Sequence, residues 1–359
     1  MAEIAMKSRI YLDHAATTPA FPAAIAAMAE AAAMVGNPSS VHAGGRAANG
    51  IIERARDAIA TWAGCAPEAI IFTSGGTEAL ALALHTPRRA LASATEHSAV
   101  LAARPDAVLL PVDGAGLLDL AALERALTAG PALVAVQHAN NETGVIQPIA
   151  AIAALVSAHG GRLLVDAVQS AGKLPLPDSD FTVVSAHKLG GIPGVGALIA
   201  RDSTTVTPVQ RGGGQERGHR GGTPNLPGIA AFAAAIGEKT DWDRIAALRN
   251  ALETCLGTPV NGATAPRLPH ISNLSLPGVS GGTQVMALDL AGFMVSAGAA
   301  CSSGKVAASH VLAAMGLGVA AAHAIRVSLG PATTAAEVTA FADAWAMMAQ
   351  RLTAARRVA

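Results

Sequence analysis

The 359-residue sequence is poor in aromatic side chains, with three Trp, one Tyr and six Phe, and only 14% of its residues are charged. Hydrophobic residues nevertheless reach 51%, most of them Ala, which excludes intrinsic disorder and implies closely packed, Ala-rich helices. Lys plus Arg and Asp plus Glu are both 25, so no net field favours nucleic acid or an anionic membrane. The three cysteines, Cys65, Cys255 and Cys301, are odd in number, far apart and in no C-x-x-C pair. A disulfide framework and a local zinc site are therefore not expected, nor is any other metal. Met1–Asp13 carries an early acid and no apolar h-region, unlike a signal peptide. The most apolar stretches, such as Gly228–Gly237, are far short of the roughly 20 residues of a membrane span. The expected compartment is the cytoplasm. No period of 20–50 residues recurs, which argues against a solenoid.

What is present is alternation. Apolar, β-rich runs at Ala69–Thr73, Ala132–Gln137, Arg162–Val165, Phe181–Ser185 and Val195–Ala200 end in polar or Gly-rich turns. Between them lie helical stretches such as Thr77–Leu84, Leu118–Leu127 and Ile149–His159. That order predicts an α/β fold, a mostly parallel sheet wrapped by helices, with ligands beyond the carboxyl ends of the strands. From about Asp241 the pattern changes to a helix over Asp243–Cys255, Pro- and Gly-rich strands and a long helical tail. A large domain over residues 15–240 is expected, with a smaller α+β domain made of 1–14 and 241–359.

Three motifs sit at strand ends. Phe72-Thr-Ser-Gly-Gly-Thr77-Glu78 passes from a strand through two glycines into a helix, whose N-terminal N–H groups can hold an anion. An ordinary N-cap by Ser74 or Thr77 would read the same way. Asp166 follows Arg162–Val165 and, if buried, needs a cationic partner; a turn or cap Asp is the plainer alternative. Ser185-Ala-His187-Lys188 ends the next strand. The chain has five lysines, and Lys188 alone ends a buried strand, where desolvation lowers a lysine's pKa and suits it to Schiff-base chemistry. Taken singly, each motif is commonplace. Together they fit one ligand: a phosphate at the helix N-terminus, a pyridinium nitrogen on Asp166 and an aldehyde on Lys188, which describes pyridoxal 5'-phosphate.

The sequence resembles the NifS/IscS-type (group I) cysteine desulfurases, fold-type I enzymes of the class V aminotransferase family. The resemblance is carried in family order by Tyr11-Leu-Asp-His-Ala-Ala-Thr-Thr-Pro19, Gly36-Asn-Pro38, Ser74-Gly-Gly-Thr-Glu78, Thr95-Glu-His97, Asn140-Asn-Glu-Thr-Gly144 and Asp166-Ala-Val-Gln169. It continues in Ser185-Ala-His-Lys188, Gly212–Gly218 with Arg220-Gly-Gly-Thr223, Ala299-Ala-Cys301-Ser-Ser-Gly304 and Ile325–Gly330.

The resemblance implies that Lys188 forms the Schiff base, that His97 stacks on the cofactor ring and moves protons, and that Asp166 pairs with the ring nitrogen. It assigns Gln169 to the ring's phenolic oxygen. Gly76, Thr77, Ser185 and His187 are assigned to the phosphate, with Thr223 supplied by the other subunit of a homodimer. Asn141, at the cofactor, is also assigned with Arg326 to the substrate carboxylate. It further implies that L-cysteine yields L-alanine and a persulfide on Cys301, whose Gly/Ala/Ser surroundings suit a nucleophile better than a core position. The sulfur then passes to an acceptor protein for iron–sulfur cluster assembly or tRNA thiolation, without direct nucleic-acid or membrane binding. Leu84–Ala92 is shorter than the family pattern, and the chain stops at Ala359 without the longer tail of some relatives, which bears on the partner rather than the chemistry. Selenocysteine lyase, cysteine-sulfinate desulfinase and aminotransferase are the nearest alternatives, and an idle scaffold in a sulfur relay is the most distant.

Overall fold

The computed structural model describes residues 9–298 and 308–358, with side chains through 354. The strands are β1 Ile10–Tyr11, β2 Ile70–Thr73, β3 Ala90–Ser93, β4 Val108–Leu110, β5 Leu133–Gln137 and β6 Arg162–Asp166. They continue with β7 Phe181–Ser185, β8 Gly196–Ala200, β9 Ile271–Ser275, β10 Phe293–Met294 and β11 Ala324–Ser328. The helices are α1 Pro22–Ala32, α2 Ala43–Ala63, α3 Gly76–Leu84, α4 Ser98–Ala103, α5 Leu120–Leu127 and α6 Ile149–Ala158. After them come α7 Leu226–Ala235, α8 Trp242–Leu256, α9 Gly281–Leu290, α10 His310–Ala314 and α11 Ala335–Val358. Among the described residues no helix is long and apolar enough to cross a membrane.

Seven strands form one sheet in the order β2-β8-β7-β6-β5-β3-β4, in which β8 alone runs against the others. A sheet covered on both faces needs strands apolar on both faces, and β2, β5, β7 and β8 are buried throughout. Alternate residues separate cleanly. Ile70, Phe72, Val134, Val136, Leu163, Val165 and Val184 pack with Ile52 and Ile59 of α2, Ile152 of α6 and Phe232 of α7. Ile71, Leu133, Ala135, Leu164, Val183 and Leu198 pack on the opposite face with Leu80 and Ala83 of α3 and Val100 of α4. The few aromatics are replaced by close approach, as where Ala24 of α1 meets Ala231 and Ala235 of α7.

The sheet's β2 edge is closed by an ion pair. Glu216 Oε2 accepts from the Phe72 amide at 2.8 Å, while Arg56 donates to both Glu216 oxygens at 2.9 and 3.0 Å and to the Ile70 carbonyl at 2.7 Å. Both side chains are 3% exposed, and the guanidinium lies 4.8 Å from the Phe72 ring centroid. Glu216 holds a left-handed φ of 45° to reach the edge.

A second core gathers Leu12, Ile245, Leu252, Leu274, Leu288, Phe293, Ile325, Val327, Phe341 and Trp345. It is built on two strand pairs, β9 antiparallel to β11 and β1 parallel to β10. The chain enters it through α8, capped by the Asp241 side chain at one end and by left-handed Gly257 at the other. Residues from both ends of the chain thus share one core, and Ala15 and Ala16 just after β1 reach back toward the large sheet.

Candidate active site

Since β2 opposes β8 and β8 opposes β7, β2 points the same way as the parallel strands. The carboxyl ends of β2, β3, β5, β6 and β7 therefore open on one side, and a cavity of about 410 Å³ lies there. Most of the expected residues line it from the carboxyl ends of these strands or the turns that follow. Gly76 and Thr77 follow β2, His97 follows β3, Asn141 follows β5, Asp166 and Gln169 close β6, and Ser185, His187 and Lys188 close β7. Arg326 comes from β11 of the second core and lines the same cavity.

At α3 the cap residue Gly75 makes no side-chain cap bond, so the N–H groups of Gly76 and Thr77 have no partner among the described residues. A Cβ on Gly76 would stand 2.9 Å from Val168 Cγ2, so only glycine lets the backbone sit this close under the cavity.

Asp166 is 8% exposed; Oδ1 accepts from the Val168 amide at 2.9 Å. Burial raises its pKa against the pull of that N–H and of His97 and Lys188. Among the described residues it has no cation in contact. Lys188 sits on the 3-10 turn Ala186–Lys188 and donates from Nζ to the Ala15 and Ala16 carbonyls at 2.6 and 2.7 Å. Burial first and the Arg326 charge second bring its pKa down to about 8, so roughly a tenth is free amine at pH 7. Gln169 Nε2 donates to the same Ala15 carbonyl at 2.9 Å.

His97 caps α4 by accepting the Ala99 amide at Nδ1, 3.1 Å, which places the proton of the neutral ring on Nε2. Desolvation lowers its pKa, against the pull of Asp166. The His187 ring pairs with Thr17 Oγ1 at 3.1 Å; burial and then the Lys188 charge push its pKa down to about 4.

Arg326 is 6% exposed. Nη2 donates to Asp13 Oδ1 at 2.6 Å and Nη1 to the Asn141 carbonyl at 3.0 Å, while Nε is buried without a partner among the described residues. The neighbouring asparagines divide their roles: Asn140 Oδ1 accepts the Glu142 and Thr143 amides at 2.8 Å, leaving Asn141 to face the cavity.

Thr223 lies outside this cavity within one chain, in a smaller one beside Ser74, Arg220 and Gly222. Cys301 lies outside the described residues; Gly298 and His310, on either side of that segment, both line the large cavity.

Asp13 and Glu96 also belong to the site, though neither stands out in the sequence. Asp13 orients Arg326 and also accepts Ser296 Oγ at 2.7 Å. Glu96 is fully buried; Oε1 accepts the Gln137 amide at 2.7 Å and Oε2 has no partner among the described residues. Burial, with Asp166 nearby, raises its pKa well above the usual carboxylate value, against the pull of the Gln137 amide. Asp13 lies in Tyr11–Pro19 and Glu96 in Thr95–His97, and that membership is the one signal the sequence carries for them.

A family model described as aminotransferase class-V matches residues 10–341. The chain belongs to that family. It is 42% identical to a cysteine desulfurase of Cereibacter sphaeroides over 92% of this chain and 93% of that one. It is 38% identical to an IscS-like cysteine desulfurase of Mycobacterium tuberculosis, again over 92% and 93%. Among solved structures, a NifS-like protein from Rickettsia africae superposes with a TM-score of 0.88 at 32% identity, covering 94% of this chain and 98% of that one. These neighbours share the α/β fold described above.

Proposed function

We propose that this protein is a cysteine desulfurase that binds pyridoxal 5'-phosphate in the 410 Å³ cavity and moves sulfur from L-cysteine to Cys301. The observation that carries the reading is the meeting, in one cavity, of a helix N-terminus, a buried carboxylate, a lysine of lowered pKa and a buried arginine, the first two without a contacting anion or cation and the last with an unpaired N–H among the described residues. Two class V relatives that carry the cysteine desulfurase name at 38–42% identity support the substrate assignment.

The residues present fit the cofactor. The unpaired Gly76 and Thr77 amides, with Ser185 and His187, suit its phosphate. Asp166 would hold the proton on the ring nitrogen, Gln169 and Asn141 would lie along the ring, and Lys188 would take the aldehyde. Bound there, the cofactor supplies an electron sink that acidifies the substrate Cα proton.

The chain's own groups do the rest. Arg326 offers its unpaired Nε–H to the cysteine carboxylate, with Asp13 fixing the guanidinium plane and Asn141 beside it. The free amine of Lys188 accepts the Cα proton, and His97, neutral with its proton on Nε2, exchanges protons at the cavity mouth. The Cys301 thiolate attacks the substrate sulfur: a new S–S bond forms, the Cβ–S bond breaks, and protonation of Cβ completes alanine. An unperturbed thiol is only a few per cent ionised at neutral pH, so the site must take up its proton.

Residues 15–240 are assigned to the large domain, and 1–14 with 241–359 to the small one. Thr223 is assigned to the phosphate of a neighbouring subunit in a homodimer. The persulfide is assigned to an acceptor protein in the cytoplasm, for cluster assembly or tRNA thiolation.

The test is the absorption spectrum of the purified protein before and after L-cysteine, with alanine measured from cysteine, selenocysteine and cysteine sulfinate. A yellow protein that releases alanine from cysteine supports the reading. Alanine from selenocysteine or sulfinate alone would move it to a lyase or desulfinase, and a colourless protein without turnover would leave only a scaffold.

A further inference from the structure

Lys188 lines two cavities. Its amine faces the large one, and behind it lies a small one, about 40 Å³, which also holds Lys173, Trp242 and Glu238. Lys173 plays no part in the chemistry proposed above, yet its Nζ donates to the Lys188 carbonyl at 3.2 Å. It is half-buried, with Nζ 5.4 Å from the Trp242 ring centroid, and Trp242 Nε1 in turn donates to the Gly172 carbonyl at 2.8 Å. The segment carrying Lys173 is thus clamped to α8 on one side and to the Lys188 turn on the other.

We infer that Lys173 is a positioning residue for Lys188, pinning its carbonyl from behind the site. This rests on Lys188 being the lysine that binds the cofactor. The turn Ala186–Lys188 is a single 3-10 turn, and the carbonyl at its end fixes the direction from which the Lys188 side chain leaves the backbone.

The same pair is electrostatically linked. Burial and then the Lys188 charge bring Lys173 down to about 7, below Lys188 at about 8. On acidification Lys188 takes its proton first and Lys173 follows against its repulsion. That repulsion is mutual, so a charged Lys173 makes the Lys188 amine easier to free at low pH. His14 and His270 also face Lys173; burial brings His14 down to about 4 and lowers His270 well below the ordinary His value. Asp13, Asp166 and Arg326 act on Lys188 from the front of the site, and Glu238 faces Lys173 across the small cavity.

The experiment measures cofactor capture by cofactor-free protein, as growth of the lysine-bound chromophore, at pH 6 and pH 9. Wild type, Lys173→Met and Lys173→Gln are compared after circular dichroism establishes that each is folded. Met removes donor and charge; Gln keeps a donor without the charge. At pH 9 Lys173→Met should capture about threefold to tenfold more weakly, the worth of one neutral hydrogen bond, while Lys173→Gln stays within about threefold of wild type. At pH 6 both variants should fall below wild type, because both lack the repelling charge. Equal capture by wild type and Lys173→Met at both pH values would overturn the inference. So would Lys173→Gln falling as far as Lys173→Met at pH 9. If borohydride reduction and peptide mapping of the wild type tag a lysine other than Lys188, the reading of the site fails instead.

Discussion

Two of the three guanidinium nitrogens of Arg326 are engaged, by Asp13 and by the Asn141 carbonyl, and Nε is buried without a partner among the described residues. A lysine there keeps a positive charge and loses the planar fork, so Arg326→Lys should raise KM for cysteine about tenfold to a hundredfold, the worth of a charged hydrogen bond, with a smaller change in kcat. Steady-state kinetics checks it; an unchanged KM would remove Arg326 from the carboxylate site. The cysteines differ as sharply. Cys65 is half-buried with its thiol pushed up by burial, and Cys255 is exposed on α8, away from the cavity. Cys65→Ser and Cys255→Ser should therefore turn over normally. Cys301→Ser should still give a cysteine-dependent spectral change but almost no alanine, because a hydroxyl is essentially un-ionised at neutral pH. Full turnover by Cys301→Ser would place the sulfur acceptor elsewhere.

At the scale of the element, the junction of β2 and α3 depends on two contacts. A methyl on Gly76 would press on Val168, two residues beyond Asp166, so Gly76→Ala should weaken cofactor affinity about tenfold or more while leaving the fold intact; a binding titration reads this. On the other side of β2, Glu216→Ala would leave Arg56 buried and the Phe72 amide unpaired. A loss of about 3–5 kcal/mol is expected in chemical denaturation. These two contacts also mark what a sequence discloses. The strand expected at Ala69–Thr73 is found at Ile70–Thr73 and the helix expected at Thr77–Leu84 at Gly76–Leu84, because continuous apolar runs and Gly-rich turns are local signals. The strand-end positions of Asp166 and Lys188 were legible for the same reason. The Arg56–Glu216 plug was not, since its partners are 160 residues apart and an isolated Arg or Glu reads as a surface residue. Nor was the pairing of α1 with α7, whose Ala-rich sequences have too little contrast between faces to show which one is buried.

Across the whole molecule, buried histidines set an acid limit. His14 is 8% exposed, bonded to Thr18 Oγ1 at 2.8 Å, and held down to about 4 chiefly by burial. Its folded pKa is below the unfolded value near ~6.5, so the unfolded chain takes up the proton first and stability falls as the pH drops from about 6.5 to about 4. Buried Glu96 and Asp166, with raised pKa values, act in the opposite sense over the acid range. His14→Asn should therefore flatten the difference in denaturation free energy between pH 7 and pH 5, by at most about 2 kcal/mol. An unaltered difference would show that His14 is not the group responsible. The Asp13–Arg326 contact has a consequence of another kind. Its partners are 313 residues apart, so at roughly 5–20 residues per second the ribosome makes Arg326 roughly 15–60 s after Asp13. Every strand of the seven-stranded sheet is made before that. On the proposed reading, a nascent chain can thus complete the surface for the cofactor well before it holds the arginine for the substrate, which would leave an unfinished enzyme poorly able to begin liberating sulfur.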